Sequence, residues 1–162
     1  MRERFSVVKG RTRQELTNLE RIVGRAERAI AAVHCRPDEQ DMYVDSAALN
    51  LPDFYAGLKR LFRQIATVVD QSLPSGPEWH RELLIQMSTD IPQLRPAVIS
   101  AETARALDEY LRFRHVVQNV YAFEFDGEQI ERLVQRLRPS FEQVRGELLA
   151  FTEFLVQLAQ GE

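Results

Sequence analysis

Thr12-Arg-Gln-Glu-Leu-Thr-Asn-Leu-Glu-Arg-Ile-Val-Gly-Arg-Ala-Glu-Arg-Ala-Ile-Ala-Ala-Val-His-Cys35 decides the fold class. Leu16, Leu19, Val23, Ala26, Ile30 and Val33 recur at steps of three and four, the period that lines one face of an α-helix. Thr12 suits the N-cap, Glu15 completes a capping-box spacing, and Pro37 follows where the helix should stop. The same period returns in every long apolar segment. Phe54, Leu58, Leu61, Phe62, Ile65, Val68 and Val69 form a second stripe, starting near Leu51 with Pro52 in the first turn. Between the two, Arg36–Asn50 is polar and broken, and reads as a loop with at most a short helical turn.

Pro74-Ser-Gly-Pro77 ends the second helix. A short helix over Glu78–Met87 carries Trp79, Leu83, Leu84 and Met87, and an irregular crossing with Pro92 and Pro96 follows. Ser100 caps a fourth pattern that runs to about Phe123. Asp126-Gly127 turns into a last long helix to about Gln160, bearing Leu133, Leu137, Phe141, Leu148, Phe151 and Leu155, with Pro139 expected to kink or split it. No segment alternates as a strand would. The expectation is an all-α, up-and-down bundle of four to five helices forming one domain over residues 1–162.

Composition narrows the function classes. The 162 residues are 44% hydrophobic and 28% charged, a balance that excludes wholesale disorder. No apolar run approaches the ~18 residues of a membrane span, and the N-terminus lacks the apolar core of a signal peptide. Cys35 stands alone, so neither an intrachain disulfide nor a cysteine metal site is available. These features point to the cytoplasm, with no membrane association. A net charge of −3 argues against a broad basic surface for long nucleic acid, while leaving room for a small RNA site. Lys9 and Lys59 are the only lysines, and arginine supplies the other cations. Its planar fork suits phosphate and carboxylate, although a codon bias of the source genome gives the same composition.

One stretch departs from plain bundle logic: Tyr110-Leu-Arg-Phe-Arg-His-Val-Val-Gln-Asn-Val-Tyr121. At ~100° per residue, Leu107, Tyr110, Leu111, Arg114, Val117 and Tyr121 share one side of the helix, so Arg114 projects from an apolar stripe. A buried guanidinium needs an acidic partner, a subunit interface or a ligand. Asp108, Arg112, His115 and Asn119 occupy the adjoining polar face, where His115 and Asn119 can meet at a spacing of four.

These residues resemble the HepT-type toxins of the HEPN superfamily of helical ribonucleases. That family carries Arg, four residues, His, one residue, Tyr, and the matching positions here are Arg114, Asn119 and Tyr121, with His115 directly after the arginine. Phe54-Tyr-Ala-Gly57, Leu73-Pro-Ser-Gly76 with Trp79-His-Arg-Glu-Leu-Leu84, and Phe113-Arg-His115 extend the resemblance from about Asp53 to the last helix. It implies a metal-independent endoribonuclease acting on RNA, a homodimer with a composite cleft, and a cognate minimal nucleotidyltransferase antitoxin that silences the toxin by attaching AMP to the tyrosine matching Tyr121. No cofactor is implied.

Asn119 stands where the family has histidine. An amide can hold a phosphate but cannot shuttle a proton, whereas imidazole titrates near neutrality. In a catalytic domain His115 is the natural substitute, with Arg114 stabilising charge on the phosphorane. The candidate catalytic set is therefore Arg114, His115 and Asn119, with Tyr121 as the modification candidate and Tyr110 next.

Plainer readings stand beside these. Arg114 can pair with a carboxylate such as Glu153, His115 can be a solvated helix residue, and a tyrosine on an apolar face is usually core. His80, beside Trp79, reads as the exposed neighbour of a packed aromatic and is left out of the site. Short-spaced metal pairs such as His-x-x-x-His or Glu-x-x-His are absent, so a metal site would need His34, His80 and His115 to converge from distant elements. The alternative functions are a non-catalytic HEPN-derived module binding RNA, nucleotide or protein, and a helical adaptor without a ligand.

Overall fold

The computed structural model describes residues 1–161. Five α-helices form the fold: α1 (Arg2–Cys35), α2 (Gln40–Ile65), α3 (Trp79–Met87), α4 (Ala101–Asn119) and α5 (Gly127–Gln160). Among the described residues there is no strand, only an isolated bridge between Ile91 and Arg95 in the crossing segment. The all-α bundle read from the periodicity is the one observed. Helices α1, α2, α4 and α5 enclose the core, with α1 packed on α2 and α5, and α3 lying against α2 and α4.

The long helices start earlier than their capping signals suggest. Phe5, Val8 and Thr12 continue the stripe of α1 upstream, all of them buried, so Thr12 is an interior residue and not the N-cap. Its buried Oγ1 lacks a hydrogen-bond partner, and Glu15 accepts instead from Arg60 Nη2 at 2.9 Å. A capping-box spacing is weak evidence when an apolar stripe continues through it.

Helix α2 begins at Gln40, within the segment expected to be a loop. Ala47 and Ala48 there are fully buried, and small residues packed against α1 sustain a helix that carries little hydrophobic signal. Pro52 is consequently inside the helix and not in its first turn. Gly57 permits the close approach of α1, since a Cβ there would lie 2.6 Å from Leu19 Cδ2. The neighbouring Phe54 packs edge-on against Tyr110 and Phe141, with ring centroids 5.6 and 6.3 Å away.

A π-helical turn, Ala66–Asp70, closes α2 and ends on Gln71 in the left-handed region. It delivers Asp70 to the crossing segment, where Arg95 is wholly enclosed. Arg95 Nε and Nη2 donate to the two Asp70 oxygens, the latter at 2.7 Å, and its remaining donors reach the carbonyls of Thr89, Pro96 and Gln86. Gln86 also donates to Asp70 at 2.7 Å, which ties α3 to the end of α2. The irregular chain between α3 and α4 is thus pinned by one saturated guanidinium.

Ser100 caps α4 by accepting from Thr103 N, as the sequence suggests, and Asp126, expected only as part of a turn, caps α5 by accepting from Glu128 N and Gln129 N. Helix α4 stops at Asn119, four residues before the expected end, and a 3-10 turn, Ala122–Glu124, follows. Pro139 lies inside a continuous α5. No helix among the described residues is long and apolar enough to cross a membrane.

Candidate functional site

The apolar stripe of α4 buries Leu107, Tyr110, Leu111 and Phe113, and Arg114 sits half-buried at its edge. Arg114 makes no hydrogen bond or ion pair among the described residues. The internal partner considered above is taken, because Glu153 binds Lys9 at 2.7 Å. The nearby Asp108 pairs along the helix with Arg112 at 3.2 Å.

Other cations share the neighbourhood of Arg114, with Asp108 at its edge. The charges of Arg114, Arg63 and Arg60 all bear on Lys59, whose ammonium is held below the usual lysine range first by burial and then by those three. Lys59 and Arg63 stand over the Trp79 ring, with Nζ 5.8 Å and Cζ 5.3 Å from its centroid. His80 stacks on the same indole at 3.7 Å between centroids. Burial, followed by the charges of Arg114, Lys59, His115 and Arg63, lowers the His80 pKa. Tyr55, on the preceding turn of α2, is buried between the influence of Asp108 and Arg114. Burial is the larger cause that raises its phenol pKa, Asp108 adds to it, and Arg114 opposes it.

Contacts around Trp79 bring Lys59, Arg63 and His80 together, and the charges of Arg114 and His115 reach that cluster from α4. The geometry does not bring in the rest of the sequence-derived set on the same terms. Asn119 Nδ2 donates to the His115 carbonyl at 2.6 Å, so the amide is committed to its own helix and not to the His115 ring. Tyr121 has left the helix; it is 71% exposed and stacks on Phe123, itself 84% exposed, at 5.2 Å. That corrects the placement of Tyr121 on the apolar stripe, because the helix ends two residues before it. Tyr110, the second modification candidate, is buried and donates its hydroxyl to the Leu133 carbonyl at 2.8 Å. Its phenol pKa is raised, chiefly by burial.

Lys59, Arg63 and His80 lie outside the sequence-derived set. A signal was present: Lys59 and Arg63 are four apart on one face of a helix, and His80 follows the single tryptophan. Nothing in one sequence shows that this face meets Arg114.

From Arg63 the basic surface continues into a hollow of about 390 Å³ lined by Arg4, Val7, Arg11, Gln64, Thr67 and Val68 as well. The larger hollows lie elsewhere, one along Arg21–Ala31 and one around Arg13 and Glu142. The cationic cluster is an open face, chemically suited to a polyanion.

Residues 46–155 match the family described as HepT-like protein, and the chain belongs to that family. No curated protein and no solved structure matches the chain.

Proposed function

We propose that this chain is the toxin subunit of a HEPN and nucleotidyltransferase toxin–antitoxin pair, and that it grips and cleaves RNA at the face built on Arg114. The observation that carries this reading is the guanidinium itself. Arg114 is half-buried, makes no ion pair among the described residues, and shares an electrostatic neighbourhood with Lys59, Arg63 and two histidines. Like charges in one place repel, and a phosphodiester relieves that repulsion while accepting the arginine's forked hydrogen bonds. The basic run toward Arg4 and Arg11 offers neighbouring phosphates a path.

An open face becomes a groove when a second copy covers it, so the dimer expected from the family fits this geometry. An isologous pairing through α4 sets two Arg114–His115 pairs across one cleft. The exposed Tyr121 hydroxyl suits modification by a partner enzyme. A nucleotidyl group there adds negative charge that competes with the phosphate for the cationic face.

The second reading, binding without cleavage, rests on Asn119, an amide that cannot shuttle a proton and whose Nδ2 donates to the His115 carbonyl. Induced expression of wild type and Arg114→Ala separates the readings. A ribonuclease gives growth arrest and RNA fragments with wild type and neither with the variant. A binding module gives RNA association that depends on Arg114 and leaves the RNA intact. Equal behaviour of both proteins in growth, binding and cleavage overturns the proposal.

A further inference from the structure

We propose that His80, on α3, is the proton-accepting group of the RNA-cleaving site, supplying from another helix the imidazole that Asn119 does not provide. The inference rests on the ribonuclease reading above and names a residue that the Arg-x4-Asn-x-Tyr frame does not contain.

Three observations place His80 in this role. First, its position is fixed from two directions. Its ring stacks on Trp79 at 3.7 Å and 29°, and Trp79 is held under Lys59 and Arg63 of α2. Helix α3 packs on both α2 and α4, which puts the ring within the electrostatic reach of Arg114 and His115. Second, its two nitrogens differ. Nδ1 is sealed from solvent and has no hydrogen-bond partner. The ring as a whole is only half-buried, and Nε2 makes no hydrogen bond among the described residues. Nδ1 meets no partner in either ring state, which leaves Nε2 as the nitrogen free to meet a substrate. Third, the facing groups are cations: Lys59 and Arg63 from α2, Arg114 and His115 from α4. Burial, and then these cations, lower the His80 pKa, which favours the neutral imidazole that accepts a proton.

The step is a transesterification. With hydrogen on Nδ1, the free Nε2 takes the proton of a ribose 2′-hydroxyl. The 2′-oxygen bonds to the adjacent phosphorus, and the bond from phosphorus to the 5′-oxygen breaks. The leaving oxygen takes a proton from His115 in its imidazolium form, and His115 and His80 exchange protons with water to restore the starting state. The products are a 2′,3′-cyclic phosphate and a 5′-hydroxyl, with no net change of protons or electrons. Arg114 and Lys59 neutralise the charge that develops on the phosphorane. Burial is the larger cause of the lowered His80 pKa and the cations the smaller; a bound phosphate offsets the second, which strengthens the base.

The test uses the full chain with a fluorescein-labelled single-stranded RNA and the total cellular RNA of an expression host. Binding is followed by anisotropy, cleavage by gel, and the His80 and His115 pKa values by NMR. His80→Gln should bind RNA within threefold of wild type and lose about a hundredfold or more in cleavage rate, the usual contribution of a positioned base. The wild-type rate should rise with pH along a limb that is absent from the residual activity of His80→Gln. Arg114→Gln should raise the His80 pKa, a readout that needs no activity and that a packing role would not produce. Should His80→Gln lose its helical circular dichroism, His80→Asn and the NMR titration of the wild type carry the same test. RNA cleavage by His80→Gln within threefold of wild type overturns the inference and leaves the ribonuclease reading intact. RNA binding without cleavage by wild type also defeats the role of His80 while sparing the RNA-binding face. Neither binding nor cleavage by wild type defeats the underlying reading.

Discussion

Arg95 and Arg114 both lie beside α3, and the chain treats them in opposite ways. Arg95 is enclosed, and each of its five N–H donors has an acceptor, two of them oxygens of Asp70. Arg114 is half-exposed, has no acceptor among the described residues, and feels the charges of Lys59 and its neighbours. A saturated buried ion pair holds a segment in place. An unpaired guanidinium among like charges is a surface waiting for an anion, and the contrast separates architecture from function more cleanly than residue type does.

The largest expected effect lies on the architectural side. Arg95→Met leaves Asp70 buried and uncompensated, so stability should fall by about 3–5 kcal/mol in urea denaturation. The double variant Arg95→Met with Asp70→Leu removes both charges and should recover much of that loss. A single-variant loss below about 1 kcal/mol would place Arg95 in the same category as Arg114 and break the comparison.

Arg114→Gln should do the reverse. Relief of repulsion against Lys59 makes the variant equal to wild type or more stable by about 0.5 kcal/mol, within the range of surface changes. A loss above about 2 kcal/mol in the same denaturation experiment would reveal an internal partner and return Arg114 to a structural role.

A smaller effect follows from His80. Its pKa in the folded protein is depressed. As pH falls through the ordinary histidine value of about 6.5, the unfolded chain takes up a proton that the folded chain refuses. Stability is therefore present above that value and lost below it, and the loss levels off once the folded-state pKa is passed. Between pH 7 and pH 5 the Tm of wild type should fall more than that of His80→Gln. Parallel curves would show that the ring is freely solvated.

The smallest effect belongs to Tyr121. Tyr121→Phe should leave stability within about 0.5 kcal/mol of wild type, because the ring is exposed and its hydroxyl is not part of the core. Its consequence is chemical: if a cognate nucleotidyltransferase acts as proposed above, co-expression with it and ATP should add nucleotide to wild type and not to Tyr121→Phe. An adduct of the same mass on the variant would move the modification elsewhere.

Much of the fold was legible because long apolar stripes repeat at helical spacing and the cap at Ser100 and the turn at Asp126 agree with them. The misread boundaries share a cause. Thr12 looked like a cap because it is polar, and it is buried all the same. Ala47 and Ala48 gave no strong apolar signal, and small residues are what close packing on α1 requires. At the site, Arg114 and His115 were readable because they interrupt or border a stripe within one helix. Lys59, Arg63 and His80 were not, since their meeting depends on how α2, α3 and α4 cross. His80 looked like the exposed neighbour of Trp79, and only the packing of α3 shows that its Nδ1 is sealed. Tyr121 was placed by extending a helix that ends at Asn119.

The most direct measurement is the salt dependence of RNA binding by wild type and Arg114→Gln at one fixed pH. A phosphate held by Arg114 contributes about 0.7 to the slope of log affinity against log salt for a single strand. The account predicts at least a tenfold loss of affinity at low salt in the variant, with a slope shallower by roughly that amount, and no loss of stability. Identical affinity and slope for the two proteins would contradict it.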